Sequence, residues 1–289
     1  MIDLHVHSSC SDGTFTPSEL VEYALLHNIT AFALTDHDTV SGLDEAIAHA
    51  KELSGKCCEK NPEGALLEVV PGIEFSTEYE GRDIHIVGLF PDYHQKHFTD
   101  QLDAFVSSRT ERNKKMCALF GAHGIDISYE ALLAEFPDAV ITRAHYAKYL
   151  LEHGYVTSMT EAFDRYLGDH ASCFVPREKV TPEQAISLIL SVGGVPVLAH
   201  PTLYRMGKER LELLVSRLKE AGLIALEGIY STYSPAETRE MQALAKKYDL
   251  LISGGSDFHG SNKPELSFGT GYGKLYLHED ILYRLRSAR

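Results

Sequence analysis

Seven short apolar runs rich in β-branched residues, at 2–6, 31–35, 67–74, 84–90, 194–200, 223–229 and 250–254, punctuate this 289-residue chain. Segments of helical periodicity, at 17–27, 43–53, 181–192, 208–221 and 234–248, separate most of them. This alternation constrains the fold strongly, because a strand rejoins a parallel neighbour only through a crossover long enough to hold a helix. The expectation is an α/β chain with a parallel sheet wrapped by helices, and a closed or nearly closed barrel of seven strands fits. The start of the first helix is written locally as well. Thr16 can cap it, Pro17 takes the first helical position, and Glu19 stands where a capping box needs an acid.

One stretch breaks the rhythm. Residues 97–170 read as helical throughout, too long for a loop and suited to a subdomain set between two strand–helix units. The expected organisation is a barrel from 1–96 and 171–289, with 97–170 as an all-helical insertion subdomain.

The net charge of −14 argues against a broad basic surface for duplex DNA. A small anionic ligand would need a local positive centre. No apolar run is long enough to span a membrane and no basic-then-apolar segment opens the chain, which predicts a cytoplasmic protein. Five cysteines, odd in number and without a CxxC pair, indicate neither a disulfide framework nor a thiolate zinc site. Nothing in the chain marks an obligate protein partner.

Residues at the ends of the predicted strands carry the chemistry. The opening "MIDLHVHSSCSDGTFTP" places His5 and His7 on one face of a strand by its period of two, with Asp12 just beyond. His37 follows the second strand, Glu74 ends the third, and His85 lies in the hairpin-like RDIHIVG. His200 ends the fifth run, and Asp257 and His259 follow the seventh. Each has an ordinary structural explanation taken alone: Asp12 can cap a turn, His85 can be a satisfied core histidine. Jointly they fall on the barrel face where parallel strand–helix barrels place active sites. The set is rich in imidazole and carboxylate and lacks thiolate, which suits catalytic Zn, Mn or Fe, and it holds more ligands than one ion uses.

The motifs "DLHVHSSCSDGTFTP", "LTDHDTVSGL", "PGIEFS", "HIVGLF", "LAHP" and "SGGSDFH" resemble those of the PHP family, named for polymerase and histidinol phosphatase. The insertion, with "TRAHYAKYLLEHGYV" and "YLGDHASCFVPRE", is similar to the branch that hydrolyses nucleoside 3′,5′-bisphosphates and short RNA 5′ ends. The resemblance implies a distorted (β/α)7 catalytic barrel, the insertion folding over its mouth as a lid, with a site for two to three divalent metal ions. In it, His5, His7, Glu74 and Asp257 match the ligands of one ion. Glu74 bridges to a second held also by His85 and His145, and Asp12, His37 and His259 match a third site. Arg143 and His200 match groups that bind phosphoryl oxygens, with His200 also a possible acid for the leaving group.

Several such ions would outweigh the three carboxylates and leave a positive centre, which points to phosphate ester chemistry. The leading expectation is a metal-dependent phosphoesterase acting on a small phosphorylated nucleotide, with short RNA as a second substrate. A histidinol-phosphate or general phosphomonoesterase, and a non-catalytic metal-stabilised accessory module, stand as alternatives. Arg109, Arg112, Lys114 and Lys115 in "SSRTERNKKM" form either a solvated helix face or a contact for a second phosphate. Tyr230, Tyr233 and Phe174 either stack on a base or pack in the core.

Overall fold

The computed structural model describes the chain except residues 61–66, 138, 169–170 and 176–179, and the side chains of 55–60 and 108. Its elements run β1 (Ile2–Val6), α1 (Pro17–Leu26), β2 (Ala31–Leu34), α2 (Leu43–Lys60), β3 (Glu68–Tyr79), β4 (Arg82–Leu89), α3 (Lys96–Ala122), α4 (Tyr129–Glu135), α5 (Arg143–Glu152), α6 (Met159–Ala162), α7 (Pro182–Ser191), β5 (Val195–Leu198), α8 (Lys208–Glu220), β6 (Ala225–Tyr230), α9 (Pro235–Lys247), β7 (Leu251–Gly255) and α10 (Glu279–Ser287). A π-helical turn, Phe163–Leu167, continues α6, and a 3-10 turn, Pro201–Tyr204, follows β5. All seven predicted strands are present. The capping box of Thr16 and Glu19 forms at α1. The C-terminal helix α10, unforeseen in the sequence, adds Leu282 and Leu285 to the cluster that fills the barrel with Ile2, Val70, Val87 and Val195.

The strands pair in sequence order, β1 through β7. The segment after β7 returns to β1: Asp257 N–H donates to His5 O (2.9 Å) and His7 N–H to Phe258 O (3.0 Å). The result is a nearly closed seven-stranded barrel. Within the expected parallel sheet one strand departs, at the stretch read as hairpin-like: β4 runs antiparallel to both β3 and β5. The cause is local. Tyr79 pairs with Arg82 across a two-residue turn, Glu80–Gly81, in which both φ values are positive (51° and 77°). Such a turn folds the chain straight back and leaves no room for a crossover helix.

The hairpin extends β3 past Glu74 to Tyr79 and places Ser76 opposite His85. By the strand period of two, Glu74, Ser76 and His85 therefore share a face. In β1 the register slips between Asp3 and Val6, which pair with Phe32 and Leu34 respectively, so one residue of β1 is extra. This bulge lets Leu4 join the barrel's apolar filling with Ala33 and Val87 while the next residue, His5, reaches Glu74.

Helices α3 to α6 pack around their own buried cluster, which includes Met116, Phe120, Tyr146 and Leu150. The end of the expected insertion, residues 169–170, lies outside the described residues, as do residues 176–179 of the "YLGDHASCFVPRE" motif. Among the described residues no helix is long and apolar enough to cross a membrane.

Candidate metal centre

Glu74 is the hub of the site. Its Oε2 lies 3.1 Å from His5 Nε2, 3.2 Å from His7 Nε2 and 3.2 Å from His37 Nδ1. Its Oε1 lies 2.9 Å from His85 Nδ1 and 3.1 Å from His200 Nε2. Five imidazoles from β1, β4 and the ends of β1, β2 and β5 thus converge on one buried carboxylate. Beside them, Asp257 Oδ1 sits 3.2 Å from His7 Nε2, and Asp12 Oδ1 sits 3.2 Å from His259 Nε2.

The ligand-type atoms fall into three overlapping groups able to hold a cation: His5, His7 and Glu74; His37, Glu74 and His85; and His7, Asp12, His37 and His259. Two observations favour metal ions. His5 Nε2 and His7 Nε2 face each other at 3.1 Å, and Asp12 Oδ1 is buried without a hydrogen-bond donor. Lone pairs assembled at that density need cations between them.

Burial and neighbouring charge pull the titrations apart. Burial would lower His5 and His7, but the carboxylates of Glu74 and Asp257 outweigh it: His5 rises well above its usual value and His7 to about 9. Burial prevails at His37, which falls to about 3. Although burial would raise Glu74, Asp12 and Asp257, the surrounding cationic groups hold all three well below the usual carboxylate range.

The chain is strained where it presents these groups. Asp38, His200 and Asp257 follow β2, β5 and β7 with φ of 53°, 28° and 58°, a region that ordinary residues avoid. Buried hydrogen bonds hold it there. Asp36 accepts from Ser8 N–H (2.7 Å), Ser8 Oγ (2.5 Å) and Ser11 Oγ (2.5 Å), and Asp3 accepts from Ser256 N–H and Gly269 N–H (both 2.8 Å).

Glu227 of β6 was missed in the sequence. It is buried, meets His5 Nδ1 through Oε1 at 2.8 Å, and accepts the His200 backbone N–H through Oε2 at 2.6 Å. It fixes the tautomer of His5 so that Nε2 faces Glu74. The available signal was a lone acid inside the apolar strand ALEGIY. Tyr230 and Lys263 were missed in that role too; both bond Asp257 Oδ2 at 2.6 Å. Tyr230, expected at a base or in the core, is therefore part of the support beneath Asp257.

His145, matched by the resemblance to a ligand of the second ion, stands outside these three groups among the described residues. As the third residue of α5, it spends Nδ1 accepting the Thr142 N–H (2.9 Å) in a reciprocal cap. Its tie to the centre is indirect, through Thr142 Oγ1, which donates to Asp12 Oδ2 (3.0 Å). Burial lowers His145 to about 4.

Arg143 and His200 both line a cleft of about 450 Å³ above the centre. Arg143 bonds Asp83 Oδ2 (2.8 Å) and Leu167 O (3.0 Å) and lies over the Phe174 ring. His200 touches Glu74 directly and so belongs to the imidazole cluster as well as to the cleft. The helix bearing Arg109 and Arg112 is not one solvated face. Both arginines are buried, Arg109 paired with Asp38 and bonded to Ser76 Oγ, while Lys114 pairs with Glu111 in solvent.

Similarity to known proteins agrees with this geometry. The family model described as the PHP domain matches residues 3–185. The chain is 37% identical over 257 residues to a 5′-3′ exoribonuclease of Haemophilus influenzae, covering 89% of each. It is 32% identical over 260 residues to a 3′,5′-nucleoside bisphosphate phosphatase of Chromobacterium violaceum, covering 89% of this chain and 87% of the relative. A structure from Bifidobacterium adolescentis, described as a metal-dependent phosphoesterase, superposes with a TM-score of 0.82 at 26% identity, over 99% of this chain and 95% of the other. A barrel of this topology, a carboxylate ringed by imidazoles at its mouth and these relatives lead to one assignment: the chain belongs to the PHP family and is a metal-dependent phosphoesterase.

Proposed function

We propose that the enzyme removes the 3′ phosphate from nucleoside 3′,5′-bisphosphates, leaving the nucleoside 5′-monophosphate, and that the same site shortens small RNA from the 5′ end. One observation carries the phosphoester reading: Glu74, with its five imidazoles, lies at the base of a nucleotide-sized cleft whose lining also holds Arg143 and Lys263. The relatives supply the substrate class. Bisphosphate phosphatase and 5′-3′ exoribonuclease activities share one reaction, breakage of the bond between phosphorus and O3′ of a nucleotide.

In this reading His5, His7, Glu74 and Asp257 hold one divalent ion, Glu74 and His85 reach a second, and Asp12, His37 and His259 hold a third, the ions being Mn, Fe or Zn. Bound there, they supply Lewis acidity toward phosphoryl oxygens and acidify water. Glu227 orients His5, and Asp36 fixes the loop after β1. Arg143 enters from α5 to neutralise the phosphoryl oxygens, and His200 donates to them or protonates O3′ as it leaves. The helical insertion acts as the lid that brings Arg143 over the cleft.

The test is phosphate release from 3′,5′-bisphosphoadenosine and from histidinol phosphate, using chelator-stripped protein reloaded with Mn²⁺. Selective, metal-dependent release that leaves AMP is expected. Preference for histidinol phosphate would move the substrate class, and metal binding without turnover of either would favour the accessory-module reading.

A further inference from the structure

The cleft lining divides by chemistry. Among the described residues, its apolar members are Ala144, Met159, Phe163 and Leu203, and every other lining residue is polar or charged. Three separate elements contribute these four. Ala144 follows Arg143 in α5, Met159 and Phe163 are four apart at the junction of α6 with the π-helical turn, and Leu203 lies in the 3-10 turn after His200. Residues four apart share a helix face, so Met159 and Phe163 form one surface. Leu203 is 47% exposed, although it stands in a concave site where an apolar side chain could be packed away. The π-helical turn, closed by Gly168 N–H to Phe163 O (2.7 Å), is a rare geometry that concentrates at functional sites.

We infer that Met159, Phe163 and Leu203 form the nucleobase subsite, which holds the base by its face. The inference rests on the nucleotide reading proposed above. Its geometry follows from chain adjacency: Leu203 is three residues from His200, and Ala144 is next to Arg143. A ligand whose phosphate meets His200 and Arg143 lays its other end against this wall. Phe163 supplies an aromatic face and Met159 a polarisable thioether. Of the three aromatics read as either base-stacking or core, Tyr230 is buried beneath Asp257.

The experiment compares AMP with ribose 5-phosphate, which carries the same phosphate and no base, by calorimetric titration of Mn²⁺-loaded protein. AMP should bind about 10-fold more tightly or better, the scale of one base stacked on an aromatic side chain. Phe163→Ala and, separately, Leu203→Ala should each shrink that ratio severalfold. Equal affinities in the unmodified protein would overturn the subsite, as would variants that weaken both ligands in parallel, which would assign the wall to packing. Turnover of bisphosphoadenosine with no preference for AMP removes the subsite alone. A preference for AMP without turnover removes the 3′-phosphatase reading and leaves the subsite standing.

Discussion

The floor and the roof of the cleft are built on different terms. The floor takes its groups from strand ends and locks them with buried hydrogen bonds: Asp36 to Ser8 and Ser11, Asp3 to Ser256 and Gly269, Glu227 to His5 and His200. The roof takes Arg143, Met159 and Phe163 from short helices, tied to the floor by the buried pair Arg109–Asp38 and the half-buried pair Arg143–Asp83. Phosphoryl chemistry needs groups placed within a fraction of an ångström, and strands in a closed sheet provide that. Selection among substrates tolerates more play, and short helices suffice.

Breaking the floor should therefore cost most. Glu74→Gln keeps the shape of the hub and removes its charge; kcat/KM for bisphosphoadenosine should fall by roughly 10³-fold, with less Mn²⁺ retained on metal analysis. Activity within tenfold of the parent enzyme would show that Glu74 is not the hub.

On the roof, Arg143→Ala should lower kcat by about 10²-fold while leaving metal content intact. The substitution also strips Asp83 of its partner. The nearby guanidinium of Arg143 overcomes burial there and holds Asp83 at about 2. The double variant Arg143→Ala/Asp83→Asn separates the two effects. If it recovers melting temperature but not turnover, Arg143 acts on the phosphoryl group; if turnover returns as well, its role is to hold the roof down.

The same division explains what was legible in the sequence. Floor residues announce themselves because a strand's period of two and its C-terminal end fix direction and place together, so His5, His7, Glu74 and Asp257 read directly from the motifs. Glu227 was lost because an acid inside ALEGIY looks like an interruption until barrel closure leaves only β7 between β6 and β1 and brings it to His5. The antiparallel β4 was legible as the hairpin-like RDIHIVG, and the turn at Glu80–Gly81 sets its direction. On the roof, helical periodicity predicted helices but not which residues their ends deliver. His145 stands at the third position of a helix with Nδ1 engaged by the Thr142 backbone, a cap that its motif does not announce.

A smaller change probes the support beneath the floor. Glu227→Gln keeps the contacts but weakens the orientation of His5, and Mn²⁺ affinity should drop roughly 10- to 100-fold. Titration of the chelated variant measures this directly. Unaltered affinity would confine Glu227 to holding the His200 backbone.

Proton linkage gives the finest contrast, because His7 and His145 are shifted in opposite directions. In the metal-free fold, burial would lower His7, yet hydrogen bonds to Asp257 and Glu74 raise it from 6.5 to about 9. The stability it contributes is full below pH 6.5 and is lost as pH rises through 9. His145 is lowered by burial from 6.5 to about 4, so its contribution is present above pH 6.5 and is lost as pH falls toward 4. On these two groups chelated protein should melt highest near pH 6.5, the contribution of His7 failing on the alkaline side and that of His145 on the acid side. A cation taken up at His7 must displace the proton held there at pH 7, so Mn²⁺ affinity should climb by up to about tenfold per pH unit between 7 and 9. Titrations in buffers of different ionisation enthalpy would count the proton released. Affinity that stays flat across that interval would take His7 out of the ligand set, leaving the first ion to His5, Glu74 and Asp257.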